Sequence, residues 1–300
     1  MDTTHDITID ADPRDVYALL AHAERWPELF EPTIQVTHVE RRGTTETFRI
    51  WASAGEEVKS WTSVRELDPV AHRITFRQAV PAPPIATMSG TWVVEEDGPG
   101  RTHLRLLHTF SAVDDDPEAF AWIEKVTDEN SRTELANVKA VAERGGGEVR
   151  TFSDSVRIAA GADAVHAFLW EAEHWTDRLP HVAAVRLDDY GTHDVQSLRM
   201  TTLSKVGEHE TMSIRITEGT GRIGYKQLDL PPLLDLHLGN WTIRAGQGET
   251  VLTSEHTIRL RPEVARDQAS TAANLAKARD ALSANSMATM LIAKSLLEGV

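Results

Sequence analysis

The run from Lys59 to Glu66 reads as a strand, and in it Trp61, Ser63 and Arg65 occupy every second position, so their side chains share one side of a sheet. A large aromatic belongs inside, and if Trp61 points inward, Ser63 and Arg65 go with it. A guanidinium cannot shed its proton there, and an unpaired buried charge costs several kcal/mol. Such an arginine must be paired or must serve a ligand. The pattern recurs as Thr211, Ser213 and Arg215, although the opposite face of that run, Met212, Ile214 and Ile216, could equally be the inward one. A solvated face is the alternative reading of both arginines.

These residues belong to a chain that is one unit written twice. Trp26 and Trp175, Gln78 and Gln227, and Trp92 and Trp241 recur at one constant spacing, and Gly90-Thr91-Trp92 answers Gly239-Asn240-Trp241. A period of about half the chain is too long for a solenoid, so each copy is a domain with its own core. In the first copy an alternating strand, Asp6 to Asp10, precedes Asp12-Pro13, an N-cap with proline at the first helical position. A short helix runs to about Trp26. Strands follow at about 34–40, 45–53, 57–67, 72–80, 87–96 and 102–111, divided by glycine and proline turns. Asp114-Asp115-Asp116-Pro117 caps a helix over 118–144 that Gly145-Gly146-Gly147 stops. The second copy repeats the order and closes on a helix over 263–298. The domains are placed at 1–145 and 151–300, with a linker at 146–150.

Strand, short helices, antiparallel meander and long C-terminal helix is the α+β helix-grip order, in which a curved sheet wraps the helix. An elongated pocket between them suits a ligand, and polar groups on inward positions favour a pocket over a solid core. A chain of 300 residues with 41% hydrophobic and 26% charged residues is an ordinary globular composition. No apolar run approaches the ~18 residues of a membrane span, and the N-terminus lacks signal-peptide features, so a cytoplasmic location is expected. A net charge of −15 argues against nucleic acid or an anionic membrane as partner. With no cysteine, thiol nucleophiles and cysteine-held metals are excluded. There is no nucleophile elbow, phosphate loop, dinucleotide fingerprint or metalloprotease helix. Glu208-His209-Glu210 reads as a surface turn rather than a metal site.

Arg25-Trp26-Pro27-Glu28-Leu29-Phe30, then Ser60-Trp61-Thr62-Ser63-Val64-Arg65, then Asp68-Pro69 and a Gly-x-Trp strand, resembles the bacterial aromatic polyketide aromatase/cyclases of the START-like, Bet v 1-like superfamily. The duplication is similar to their two-domain class. The resemblance implies a cofactor-independent, metal-free enzyme that receives a poly-β-ketone from an acyl carrier protein of a type II polyketide synthase. It would close the first ring between C7 and C12 by aldol condensation and aromatise it by dehydration. Carried over residue by residue, it puts catalytic roles on Ser63 and Arg65 and, by the repeat, on Ser213 and Arg215. Pocket-lining roles fall on Trp26, Trp61, Gln78 and Trp92, and on Trp175, Gln227 and Trp241.

The chain departs from the single-domain pattern where a tyrosine is expected and Pro32-Thr33 stands, and where a second pocket arginine is expected and Gln78 stands. Thr211 replaces Trp61 in the second copy. Methylenes between two carbonyls are already acidic, so ring closure mainly requires orientation and an arginine to stabilise the oxyanion. Dehydration needs a general acid or base, for which His108, His181 and His256 are candidates among thirteen histidines. A noncatalytic carrier of a hydrophobic small molecule is the alternative, as is one catalytic domain beside a docking domain. The paired Ser-x-Arg favours the enzyme.

Overall fold

The computed structural model describes residues 1–54, 57–143, 149–189, 192–204 and 207–299. The chain divides into two compact units, Met1–Gly146 and Gly147–Val300. In the first, β1 (Asp2–Ile9) leads to α1 (Pro13–Ala21) and α2 (Trp26–Leu29), followed by β2 (Thr33–Arg42), β3 (Thr45–Ala54), β4 (Glu57–Asp68), β5 (Arg73–Gln78), β6 (Ile85–Glu96) and β7 (Thr102–Ala112). The strands form one antiparallel sheet in the order β1-β7-β6-β5-β4-β3-β2, and α3 (Pro117–Glu143) packs across β1 and β7. This is the expected helix-grip order. Asp12 accepts a hydrogen bond from the Arg14 amide at the start of α1, and Asp116 does the same for Glu118 at α3, as the capping residues predict.

The second unit repeats this with β8 (Val149–Ile158), α4 (Ala162–Trp170), α5 (Trp175–Arg178), β9 (Val182–Asp189), β10 (Val195–Ser204), β11 (Gly207–Thr217), β12 (Arg222–Gln227), β13 (Leu234–Ala245), β14 (Thr250–Leu260) and α6 (Gln268–Glu298). Its sheet order is β8-β14-β13-β12-β11-β10-β9. The glycine junction at 145–147 falls outside the described residues, and Val149 and Arg150, assigned to the linker, open β8. The last helix starts later than its composition suggests. Pro262–Val264 forms a short 3-10 turn, and α6 begins behind a capping box of Asp267 and Ser270. Glu208, His209 and Glu210 lie in β11 rather than in a turn. No helix among the described residues is long and apolar enough to cross a membrane.

The repeated Gly-x-Trp has a packing cause. Gly90 is paired across strands with Phe76, and Gly239 with Tyr225. A Cβ at Gly90 would overlap the Phe76 ring and the Leu107 carbonyl, and one at Gly239 would overlap the Tyr225 ring. Each glycine lets an aromatic ring lie flat across the neighbouring strand, while the tryptophan two residues on, Trp92 or Trp241, is buried in its core.

Each unit also fastens its first helix to its sheet through an arginine. Arg65 is 1% exposed, and its Nη1 donates to the Leu20 carbonyl at 2.7 Å while Nη2 donates to that of Ala21. These are last-turn carbonyls of α1, which have no partner within the helix, and a cation suits that end of the dipole. Glu46, directly opposite on β3, accepts from Arg65 Nε at 2.6 Å. Arg215, 2% exposed, likewise donates to the Leu169 carbonyl at the end of α4, but the residue opposite it is Gln196, whose Oε1 lies 3.4 Å from Nη1. One arginine is neutralised and its counterpart is not.

Gly90→Ala and Gly239→Ala are each expected to lower stability by about 1–3 kcal/mol through overpacking, measured by urea unfolding. Glu46→Ala should cost about 3–5 kcal/mol by leaving Arg65 without its carboxylate, and Glu46→Gln clearly less, since Gln196 fills that register in the other unit. Equal costs for the two Glu46 variants would contradict the charge argument.

Candidate functional site

Each unit encloses a cavity between its sheet and its long helix. The first, of about 250 Å³, is walled on the sheet side by Trp61 and Ser63 of β4, Phe76 and Gln78 of β5, Trp92 of β6 and His108 of β7. Trp26, Phe30 and the turn Ala82 to Ile85 close one side. The helix α3 supplies Thr127, Asn130, Ser131 and Glu134. Those four positions follow a spacing of three and four residues, so they form one polar stripe on the inward face of the helix.

Alternation along β4 sends Trp61 and Ser63 into this cavity, and Gln78 stands directly across from Ser63. Arg65 lies further along the same face but is not among the described residues that line the cavity. It sits behind Trp26 and Phe48, its guanidinium carbon 5.2 Å from each ring centre, with its donors held by Glu46 and the end of α1. That placement differs from the expected contact with a ligand. A buried carboxylate and two buried helix carbonyls compete for the same N–H groups, and they are nearer than the cavity.

Two cavity groups have unusual proton affinities. Burial holds His108 at about pKa 4, with His5 adding a smaller push in the same direction, so the ring is neutral at physiological pH. Its Nδ1 lies 3.4 Å from Ser131 Oγ. Burial alone lifts the Glu134 carboxyl to about 7. The side chain lines the cavity, which is why it keeps some accessible area and yet is desolvated. The sequence reading missed Glu134, and the polar stripe at 127, 130, 131 and 134 on a core-facing helix was the signal for it.

The second cavity, of about 170 Å³, takes Thr211, Ser213 and Arg215 from β11, Tyr225 and Gln227 from β12, His237 and Trp241 from β13, and His256 from β14. Trp175 and His181 line it from the connection before β9, and α6 contributes Leu282, Asn285, Ser286 and Thr289 at the same helical spacing as the stripe on α3. Ser213 and Arg215 are therefore on the cavity side, which settles the choice between the two faces of β11, even though Ile214 and Ile216 are buried too. Burial lowers Arg215 to about 10, opposed by Tyr225 and Glu173, so it stays charged at neutral pH. Trp170 and Trp175 flank its guanidinium at 5.2 and 5.1 Å. His237 and His256 are both pushed well below the ordinary histidine range, by burial first, and both are neutral. Tyr225 and His237 were not foreseen.

Trp26, Trp61, Gln78 and Trp92 thus gather in one cavity with Ser63 and His108. Trp175, Gln227 and Trp241 gather in the other with Ser213, Arg215, His181 and His256. Among the described residues no group of three or more His, Asp or Glu side chains is placed to hold a metal ion. Tryptophan walls with inward hydroxyls, amides and one acid–base group suit an extended, oxygen-rich organic ligand whose carbonyls need orientation.

Residues 1–143 match the family of polyketide cyclase / dehydrase and lipid transport proteins. The chain is 40% identical to the granaticin polyketide synthase bifunctional cyclase/dehydratase of Streptomyces violaceoruber, over 95% of this chain and 91% of the relative. It is 41% identical to the actinorhodin polyketide synthase bifunctional cyclase/dehydratase of Streptomyces coelicolor, over 95% and 93%. Among solved structures, the di-domain ARO/CYC BexL from the BE-7585A biosynthetic pathway superposes with a TM-score of 0.87 at 44% identity, covering 99% of both chains. The di-domain ARO/CYC StfQ from the steffimycin pathway gives a TM-score of 0.84 at 27% identity, over 99% of this chain and 98% of that one. On this identity and coverage the chain belongs to the di-domain cyclase/dehydratase family of aromatic polyketide biosynthesis.

Proposed function

We propose that the chain acts on a poly-β-ketone held by an acyl carrier protein, joins C7 to C12 to make the first ring, and removes water to aromatise it. The observation that carries this reading is the first cavity, an apolar slot whose polar groups converge from both walls: Ser63 and Gln78 from the sheet, Glu134 and Asn130 from the helix. Flat aromatic walls of Trp26, Trp61 and Trp92 would fold a flexible chain into one conformer. Orientation of this kind is worth ~7–11 kcal/mol when reacting atoms are well aligned. Ser63 and Gln78 donate to substrate carbonyl oxygens, so that negative charge developing on an oxygen during carbon–carbon bond formation is met by fixed donors.

After the aldol step the ring carries a β-hydroxyl. Glu134, protonated up to about pH 7, gives its proton to that hydroxyl as the carbon–oxygen bond breaks, and neutral His108 takes the proton from the adjacent carbon. Water leaves and the ring gains a double bond. Arg65, in this reading, is a positioning residue: it holds the end of α1, and through it Trp26, which donates from its own Nε1 to the Leu20 carbonyl at 3.2 Å. Ser213 and Arg215 are assigned to ligand contact in the second cavity. Partnership with other type II synthase components and a cytoplasmic setting belong to the same proposal, and the relatives named as polyketide synthase cyclase/dehydratases support the partnership.

Added to a reconstituted minimal synthase, the chain is expected to replace a mixture of shunt products with a single aromatised first ring. An unchanged profile with both C9-reduced and unreduced chains would favour a noncatalytic carrier. Because the acid must be protonated, the rate should fall as pH rises past about 7, and Glu134→Gln should remove that limb while lowering the rate by roughly 10²-fold or more. A Glu134→Gln enzyme with wild-type rate and pH profile would assign the acid elsewhere.

A further inference from the structure

The second cavity contains a hydrogen-bonded chain whose direction can be read from its anchored end. Gln227 donates from Nε2 to the Asp229 carbonyl at 2.9 Å, which fixes the amide so that its Oε1 faces His237. An amide oxygen only accepts, so His237 Nδ1 carries the hydrogen and its Nε2 presents a lone pair. His256 Nδ1, 2.9 Å from that lone pair, must therefore be the donor. That leaves His256 Nε2 as an acceptor, and Ser254 Oγ stands 3.2 Å away to donate to it. Every proton between Ser254 and Asp229 then has a place. The depressed proton affinities of both rings agree, since a charged ring would break the sequence at one link.

Tyr225 stands against this chain, its hydroxyl 3.5 Å from His256 Nδ1. That nitrogen already bears a hydrogen, so it cannot accept from the phenol. The hydroxyl proton is left for the cavity. Directly across the strand from Tyr225 is Arg215, whose buried charge has Gln196 and a helix carbonyl for partners where Arg65 has a carboxylate.

We propose that the second cavity is an oxyanion site in which Tyr225, whose hydroxyl proton the His256–His237–Gln227 chain leaves unclaimed, and Arg215, which lacks the carboxylate that Arg65 has, together stabilise the enolate or phenolate oxygen of an aromatic or enolisable ring. The first unit has no such site: Phe76, Met88 and Glu46 stand where Tyr225, His237 and Gln196 stand in the second. The identity of the physiological ligand, a ring on its way to aromaticity, rests on the polyketide reading; the oxyanion site does not.

The test uses the full chain and 2-naphthol, whose absorption separates the neutral and ionised forms. Bound to wild type, naphthol is expected to ionise at least about tenfold more readily than in water, and Tyr225→Phe should lose about tenfold of that gain. The difference between the two proteins isolates this cavity from the one in the first unit. Phe76 lying on Gly90 shows that a phenyl ring fits this register, and a thermal melt of Tyr225→Phe checks it. Naphthol that does not bind wild type, that ionises as it does in water, or that keeps its shift in Tyr225→Phe would each overturn the proposal. If Tyr225→Phe fails to fold, Gln196→Glu, which gives Arg215 the carboxylate that Arg65 has, takes its place, and a naphthol shift that it leaves unchanged would overturn the proposal. Failure here with correct first-ring products would leave the cyclase reading standing, and success here with unchanged shunt products would do the reverse.

Discussion

A helix that ends inside a protein leaves carbonyl groups that must find donors, and in both halves of this chain the donor is an arginine projecting from the sheet. That contact fixes where the first helix stops. It thereby places the tryptophan that follows, because Trp26 and Trp175 both donate to carbonyls of the same helix ends, at 3.2 and 3.0 Å. The cavity walls depend on it in turn, since Trp26 lies between Arg65 and the open space and Trp175 lines the second cavity beside Arg215. An arginine that looks catalytic in a sequence is thus first a structural element, and what distinguishes the two copies is how its charge is balanced.

In the first unit Glu46 balances the charge, and the cavity in front of it works with neutral donors and a carboxyl that titrates near 7. In the second, the exchange of carboxylate for amide at Gln196 leaves a net positive charge facing a smaller cavity. A buried charge without its counterion is costly, and Trp170 and Trp175 offset part of that cost through their ring faces. The second unit keeps the expense of an unbalanced arginine and adds a tyrosine and two histidines around it. The duplication has preserved a frame and separated two electrostatic environments.

The constant spacing of Trp26, Gln78 and Trp92 with Trp175, Gln227 and Trp241 made the duplication legible, and alternation along β4 pointed Ser63 inward, whereas along β11 both faces stayed open until the cavity placed Ser213. Arg65 could not be placed from alternation alone. Its partner Glu46 is nineteen residues away on another strand, and only the register of β3 against β4 brings them together. Glu134 was hidden among abundant carboxylates, because a charge on a long helix is usually solvated, and the decisive fact is that its face of α3 lines an opening. His237 and Tyr225 become a unit with His256 only through the pairing of β12, β13 and β14. The late start of α6 had a local signal in the capping pair Asp267 and Ser270, which the longer run of helix-forming residues obscured.

The central claim is that these cavities set which carbons join. A minimal synthase supplied with carbon-13-labelled extender units, with and without the chain, followed by mapping of the carbon–carbon couplings in the products by NMR, tests it most directly. A C7–C12 coupling in an aromatic first ring, dominant only when the chain is present, is the predicted result; a coupling pattern that the chain leaves unchanged would contradict it.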